Sequence, residues 1–235
     1  VSLENQNASY KTALGLKKDP FSPEADPLFY YAFKSFEQRV RILERLTQGL
    51  DILVLVLGET GSGKTTLLMR YLSSSGKTWA PGKIRTYPAA AKLPDPETPD
   101  GRPAYVLMDS KEPIVIVDDA HTLKQEELVF LLREAMVPGR KQMIKRLILF
   151  GESDLYNAIT NLEDAVIGEG TINKIYLPEL TEEEAAVYLQ HRLKVAGYTG
   201  KRLFSSATVK KIHKMSGGFP GPMNENANIW LKENY

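Results

Sequence analysis

The sequence predicts an α/β fold, a five-stranded parallel sheet sandwiched by helices and followed by a small all-helical subdomain. Three observations carry this. The runs "ILVLVL" (52–57) and "IVIV" (114–117) are apolar at every position, the mark of strands buried on both faces of a parallel sheet. Stretches with apolar residues at helical spacing alternate with the strands, which implies parallel crossover units. After Pro178 no strand pattern recurs, and only helical segments follow.

The opening stretch, residues 1–34, is polar and then punctuated by Pro20, Pro23 and Pro27, so it reads as an extended arm. From Ser35 the residues Phe36, Val40, Leu43, Leu46 and Leu50 recur at helical spacing, giving a helix that ends near Gly49. The strand 52–57 leads into a Gly-rich loop (58–63) and a helix from Lys64 to about Ser75. "KIRTY" (83–87) reads as a second strand. The following "PAAAKLPDPETPDGRPAY", with five prolines, reads as an irregular insertion. "IVIV", a helix over 125–136, the strand "RLILF" (146–150), a helix around 155–162 and the strand "NKIYL" (173–177) complete the core, residues 35–178. Residues 179–235 form the helical lid. Thr181 and Glu184 match a capping box, and Gly197, Gly200 and the pair Gly217-Gly218 are breaks.

With 43% hydrophobic and 25% charged residues, the chain is neither disordered nor collagen-like. Thirty basic residues against 29 acidic ones leave no net field to recruit nucleic acid or an anionic membrane, so such a partner would need a local patch. The absence of cysteine removes disulfides, thiolate metal sites and thiol nucleophiles. The longest apolar run, Ile52 to Leu57, falls far short of the about 20 residues that span a bilayer. No signal-peptide pattern precedes it. Because the chain opens at Val1 and stops after "WLKENY", the reading expects a piece of a longer protein.

"GETGSGKT" (58–65) matches G-x-x-x-x-G-K-[ST] and sits between a buried strand and a helix, the context that gives this string its meaning. Gly58, Gly61 and Gly63 allow backbone N–H groups to turn around phosphates at a helix N-terminus. Glu59, Thr60 and Ser62 complete that cradle. Lys64 reaches the β and γ phosphates, Thr65 ligates Mg²⁺ and Thr66 touches the α phosphate. These residues point to ATP or ADP with Mg²⁺ as the cofactors.

Adjacent carboxylates at the end of "IVIVDDAHTL" need a cation or solvent to be tolerated. Asp118 ends a strand whose carboxyl terminus opens on the same sheet edge as the Gly-rich loop, so it is placed to hold Mg²⁺ through water. Asp119 is placed to orient the attacking water, since phosphoryl transfer depends mainly on positioning and charge stabilisation. The alternative for both is a solvated turn. His121 reads either as a polar relay or as a solvated helix start. In "LILFGESDL", Glu152 or Ser153 is placed to sense the γ phosphate, and Ser153 reads equally as a helix N-cap.

In order along the chain, "YKTALGLKKDPFSPEADPLFYYAF", "LGETGSGKTTLLMRYL", "IVIVDDAHTL", "LILFGESDL", "LPELTEEEAAVYLQHRL" and "SGGFPGPMNENA" resemble the AAA+ ATPases of the general secretion pathway protein A type. Related members serve pilus biogenesis, and some carry a transmembrane helix followed by a peptidoglycan-binding domain. The resemblance implies a P-loop NTPase core of the AAA+ (ASCE) type with a helical lid, Mg-ATP binding and hydrolysis, and a bacterial origin. It also implies work at the cytoplasmic face of the inner membrane with a membrane or cell-envelope partner, and it allows a homo-oligomer. By the same analogy the arm around Pro20 and Phe21 lies near the adenine; the alternative is that Phe21, Phe29 and Tyr30 pin the arm to the core.

Three departures from the family pattern imply slow hydrolysis. The second acid is Asp119 rather than Glu, one methylene short of the water. Gly221 in "GFPGPMN" stands where the lid usually carries Arg. The segment before the last strand, which in the family often gives an Arg to a neighbouring subunit, here offers only Lys174. An arginine supplied in trans is worth roughly 10³ to 10⁵ in rate. The sequence therefore reads as an ATP-binding switch with weak ATPase activity. The competing reading is a DNA-associated helper ATPase, similar to transposition accessory proteins, supported only by the clusters Lys141, Lys145, Arg146 and Lys210, Lys211, Lys214, which read more simply as solvated faces.

Overall fold

The structure is a computed structural model that describes residues 10–23, 26–49, 52–74, 80–81, 104–107, 114–136, 146–162 and 172–235. The chain divides into two compact units. One comprises Ser35–Glu59 and Leu67–Leu177, the other Val1–Lys34, Thr60–Thr66 and Pro178–Tyr235.

The first unit is built on a sheet. In chain order its elements are α1 (Lys34–Leu46), β1 (Ile52–Leu57), α2 (Lys64–Ser74), β2 (Ala80–Pro81), β3 (Ala104–Leu107), β4 (Ile114–Val117), α3 (Gln125–Met136), β5 (Arg146–Gly151), α4 (Asp154–Thr160) and β6 (Ile172–Tyr176). The sheet order is β2-β3-β4-β5-β1-β6. Among the described residues four strands, β4, β5, β1 and β6, run parallel. The other two do not: β3 is antiparallel to β4, and β2 to β3.

The expectation of five parallel strands is thus corrected to four, with an antiparallel edge. The cause is chain length. A parallel crossover needs a dozen or more residues, and the link from Leu107 to Ile114 is too short for one. Ala104 and Tyr105, assigned from the prolines to an irregular insertion, begin β3. The expected strand 83–87 lies outside the described residues.

Strand periodicity sorts the core into two faces. Leu53, Leu55, Val115, Val117, Leu147 and Leu149 point to one side and meet Leu128, Leu131 and Leu132 of α3 with Leu155 and Ile159 of α4. Val54, Val56, Ile116, Ile148 and Phe150 point to the other, against Val40 and Leu43 of α1 and Leu67, Leu68 and Tyr71 of α2. With both faces covered, each fully buried aliphatic side chain contributes about 1.5–3 kcal/mol, which explains why alternation is absent from "ILVLVL". A polar tie joins the helices on the second face. The buried Tyr71 hydroxyl donates to Thr47 Oγ1 (2.9 Å), and Thr47 donates to the Leu43 carbonyl (2.9 Å). Burial raises the Tyr71 pKa.

The second unit is helical: α5 (Glu182–Val195), α6 (Ser206–Ser216) and α7 (Pro220–Asn234). The Thr181–Glu184 capping box opens α5, Ser205 caps α6 through Thr208 N–H, and Gly217 closes α6. The arm is not extended throughout. It carries a helical turn at 10–13 and a 3-10 turn at Pro27–Phe29, started by the Asp26 side chain accepting from Leu28 N–H. Phe21 packs on Phe204 (ring centroids 6.0 Å apart), and Phe204 packs on Trp230 of α7 (5.0 Å). No helix among the described residues is long and apolar enough to cross a membrane.

Candidate functional site

The Gly-rich loop follows β1 and runs into α2. Gly61 (φ 75°) and Gly63 (φ 99°) both take left-handed backbone conformations, which an L side chain resists. Alternation of such residues makes a concavity of N–H groups suited to an anion, and the loop leads directly into the N-terminus of α2. Ser62 is 3% exposed and Lys64 7% exposed. The Ser62 hydroxyl is buried without a hydrogen-bond partner among the described residues. Leaving such a group unsatisfied costs about 1–3 kcal/mol, so an acceptor oxygen belongs there. A phosphate oxygen fits.

The lid reaches this loop within the same unit. The Gly221 N–H donates to the Gly61 carbonyl at 2.8 Å. In the first turn of α7 both Pro220 and Pro222 lack an N–H, so Gly221 supplies that turn's donor, and the Gly61 carbonyl of the Gly-rich loop accepts it. A Cβ on Gly221 would lie 2.7 Å from Gly61 Cα, and one on Gly61 would lie 2.7 Å from Pro222 Cδ. The position where the family carries Arg therefore has no room for any side chain while this contact stands.

In the sheet unit, the parallel register brings the carboxyl ends of β1, β5 and β4 to one edge: Leu57 pairs with Gly151 and Val117 with Leu149. Gly58 and Glu59, Asp118 and Asp119, and Glu152 and Ser153 follow these ends. Gly58 N–H donates to the Gly151 carbonyl (3.2 Å). Asp118 is 2% exposed, and its Oδ1 accepts from the Asp119 N–H (3.1 Å). Asp119 is exposed and left-handed, φ 49° and ψ 36°, and it precedes a 3-10 turn over Ala120–Thr122. Asp tolerates this region better than most L residues.

Glu152 faces His121, with Oε1 3.5 Å from Nε2, while His121 Nδ1 is buried without a partner. Ser153 occupies the N-cap position of α4 but makes no capping bond there. Its hydroxyl instead donates to Glu59 Oε1 (3.3 Å). Lys174 Nζ lies 4.0 Å from the centroid of the Tyr156 ring.

Arg192 went unflagged by the sequence reading. It is 7% exposed and holds the arm to α5: Nε donates to the Pro20 carbonyl, Nη2 to the Ser22 carbonyl (3.3 Å) and Nη1 to Tyr188 Oη (3.1 Å). Its guanidinium carbon sits 4.6 Å from the Phe29 ring centroid. The only sequence signal was a charged residue on the apolar stripe of α5, between Leu189 and Leu193.

No protein-family model matches the chain. Over 238 aligned positions it is 24% identical to General secretion pathway protein A of Aeromonas hydrophila, covering 92% of this chain and 43% of that one. The chain thus spans less than half of that relative's length. Among solved structures, the Aeropyrum pernix ORC2 protein, determined as ADPNP-ADP complexes, is 16% identical with a TM-score of 0.47 over 88% of this chain and 65% of that one, a likeness too loose to carry weight. With the motifs in sequence order and the similarity running through nearly all of it, the chain is similar to the AAA+ ATPases of the general secretion pathway protein A type.

Proposed function

We propose that the chain is an Mg-ATP-binding AAA+ domain with slow hydrolysis, whose nucleotide state controls assembly with a membrane or cell-envelope partner of the secretion type. The observation that carries the nucleotide reading is the phosphate loop, where a buried, unpartnered Ser62 hydroxyl lies between two left-handed glycines at the start of a helix. Similarity to General secretion pathway protein A, named for secretion, supports the kind of partner, and a place at the cytoplasmic face of the bacterial inner membrane belongs to the same proposal.

In this reading Gly58 to Thr66 cradle the phosphates and Lys64 offsets their charge. Thr65 and Asp118 are the residues that would hold Mg²⁺. One hydroxyl and one carboxylate, with waters and phosphates completing the shell, suit a cation that keeps most of its waters. Mg²⁺ supplies charge neutralisation on the β and γ phosphates. Asp119 orients the attacking water and Glu152, held by His121, senses the γ phosphate. The short Asp119, the glycine at 221 and the engagement of Lys174 with Tyr156 all support slow turnover.

Calorimetric titration with ATP and Mg²⁺ tests the binding reading. Lys64→Ala is expected to weaken affinity by about tenfold or more, ~1.4 kcal/mol. Unchanged affinity would mean the loop is not the nucleotide site. Turnover of several ATP per second by the purified chain alone would remove the word slow.

The exposed Lys210, Lys211 and Lys214 on α6 keep the DNA-associated helper as a second reading. They read more simply as a solvated helix face. A steep loss of duplex DNA binding with added salt would favour the DNA reading.

A further inference from the structure

In the sheet unit, the two residues after β1 are Gly58 and Glu59, those after β4 are Asp118 and Asp119, and those after β5 are Glu152 and Ser153. Four of these six are carboxylates, which only accept, and Gly58 has no side chain. Ser153 therefore holds the single side-chain donor of the set. The pairing of β1 with β5 decides where that donor points. Leu57 pairs with Gly151, and Gly58 N–H donates to the Gly151 carbonyl (3.2 Å), so the ladder runs one step past the strands. Two positions beyond the Leu57–Gly151 pair stand Glu59 and Ser153, and the Ser153 hydroxyl donates to Glu59 Oε1 at 3.3 Å.

The helix α4 does not claim this hydroxyl. A capping serine takes an extended backbone, whereas Ser153 is helical, φ −56° and ψ −30°, and makes no capping bond. Glu59 and Ser153 are both exposed, so an anionic oxygen of a ligand can compete for the hydroxyl. A carboxylate oxygen and a terminal phosphate oxygen are acceptors of the same kind, and a hydroxyl has one proton to give.

We infer that Glu59 sets the preference between ATP and ADP by occupying the Ser153 hydroxyl in place of the γ phosphate. The inference rests on the nucleotide reading proposed above. With ADP bound, Ser153 keeps its bond to Glu59. With ATP bound, the hydroxyl turns to the γ phosphate and the Glu59 carboxylate is left to water. Admitting a third phosphate therefore costs the Ser153–Glu59 bond, and the preference for ATP over ADP is held down. Glu59 acts here as a positioning residue, through Ser153 and not by touching the γ phosphate.

The test is calorimetric titration of the full chain with Mg-ADP and with the non-hydrolysable β,γ-imido analogue of ATP, read as the ratio of the two affinities. Glu59→Ala is expected to raise that ratio in favour of the triphosphate by about threefold, the size of one exposed hydrogen bond. Glu59→Gln keeps an acceptor for the hydroxyl, so it should recover most of the parent's ratio. In a Ser153→Ala background, adding Glu59→Ala should leave the ratio where it was. A ratio that Glu59→Ala does not move would overturn the inference. So would a rise with Gln as large as with Ala, or the same rise without the Ser153 hydroxyl, because either assigns the effect to charge repulsion alone. Each of these outcomes leaves binding of both nucleotides intact, whereas a parent chain that binds neither removes the nucleotide reading and the inference with it.

Discussion

Asp119 adopts a left-handed backbone, and that constrains what the second acid can be. Glu would gain reach toward a water molecule, but longer side chains tolerate φ 49° less well than Asp. Asp119→Glu is therefore expected to raise steady-state ATP turnover while lowering Tm by about 2–4 °C, from about 1 kcal/mol of added strain. Asp119→Asn should keep Tm and lose turnover, which separates the chemical role from the conformational one. Gly221 offers the opposite lesson. Its missing side chain looks in the sequence like a lost arginine, yet a Cβ there would strike Gly61 backbone at 2.7 Å. Backbone cannot yield as a flexible side chain does. Gly221→Arg should therefore weaken nucleotide affinity in calorimetry rather than restore a missing cation, and Gly221→Ala should cost about 1–3 kcal/mol by overpacking.

Among the elements, α5 ties down the arm, because Arg192 holds two of its carbonyls. Arg192→Met keeps the bulk and removes the donors. We expect a loss of about 3 kcal/mol or more in denaturant unfolding, with early protease cleavage of the arm before residue 30. That tie was illegible in the sequence, since one arginine among apolar residues does not say which carbonyls it will meet. Other elements were legible for definite reasons. The strands β1 and β4 declared themselves because burial on two faces demands apolar residues at every position. The α5 cap declared itself because Thr181 and Glu184 bond reciprocally over a fixed spacing. β3 did not, because strand direction depends on the length of a connection, and prolines nearby drew attention to the wrong property. At the candidate site the phosphate loop was readable as a contiguous string. Ser153 was not: its hydroxyl finds Glu59, a residue 94 positions away, and only the sheet register brings the two together.

For the whole molecule, His191 contributes a loss of stability on the acid side. The folded chain holds its pKa below the ordinary 6.5, chiefly by burial, whereas the unfolded chain titrates normally. Above pH 6.5 the stabilisation is fully present. As pH falls from 6.5 toward the folded value, the unfolded state takes up the proton first and stability declines. Denaturant midpoints measured from pH 7.5 to 5 should show this decline, and His191→Gln should flatten it. The contact between the Gly221 amide and the Gly61 carbonyl carries one more implication. A single proton, on a residue remote in sequence from the loop, reads the loop's shape directly. With nucleotide bound as proposed, its chemical shift and exchange rate are expected to move, so the first turn of α7 would serve as a spectroscopic label for the state of the loop.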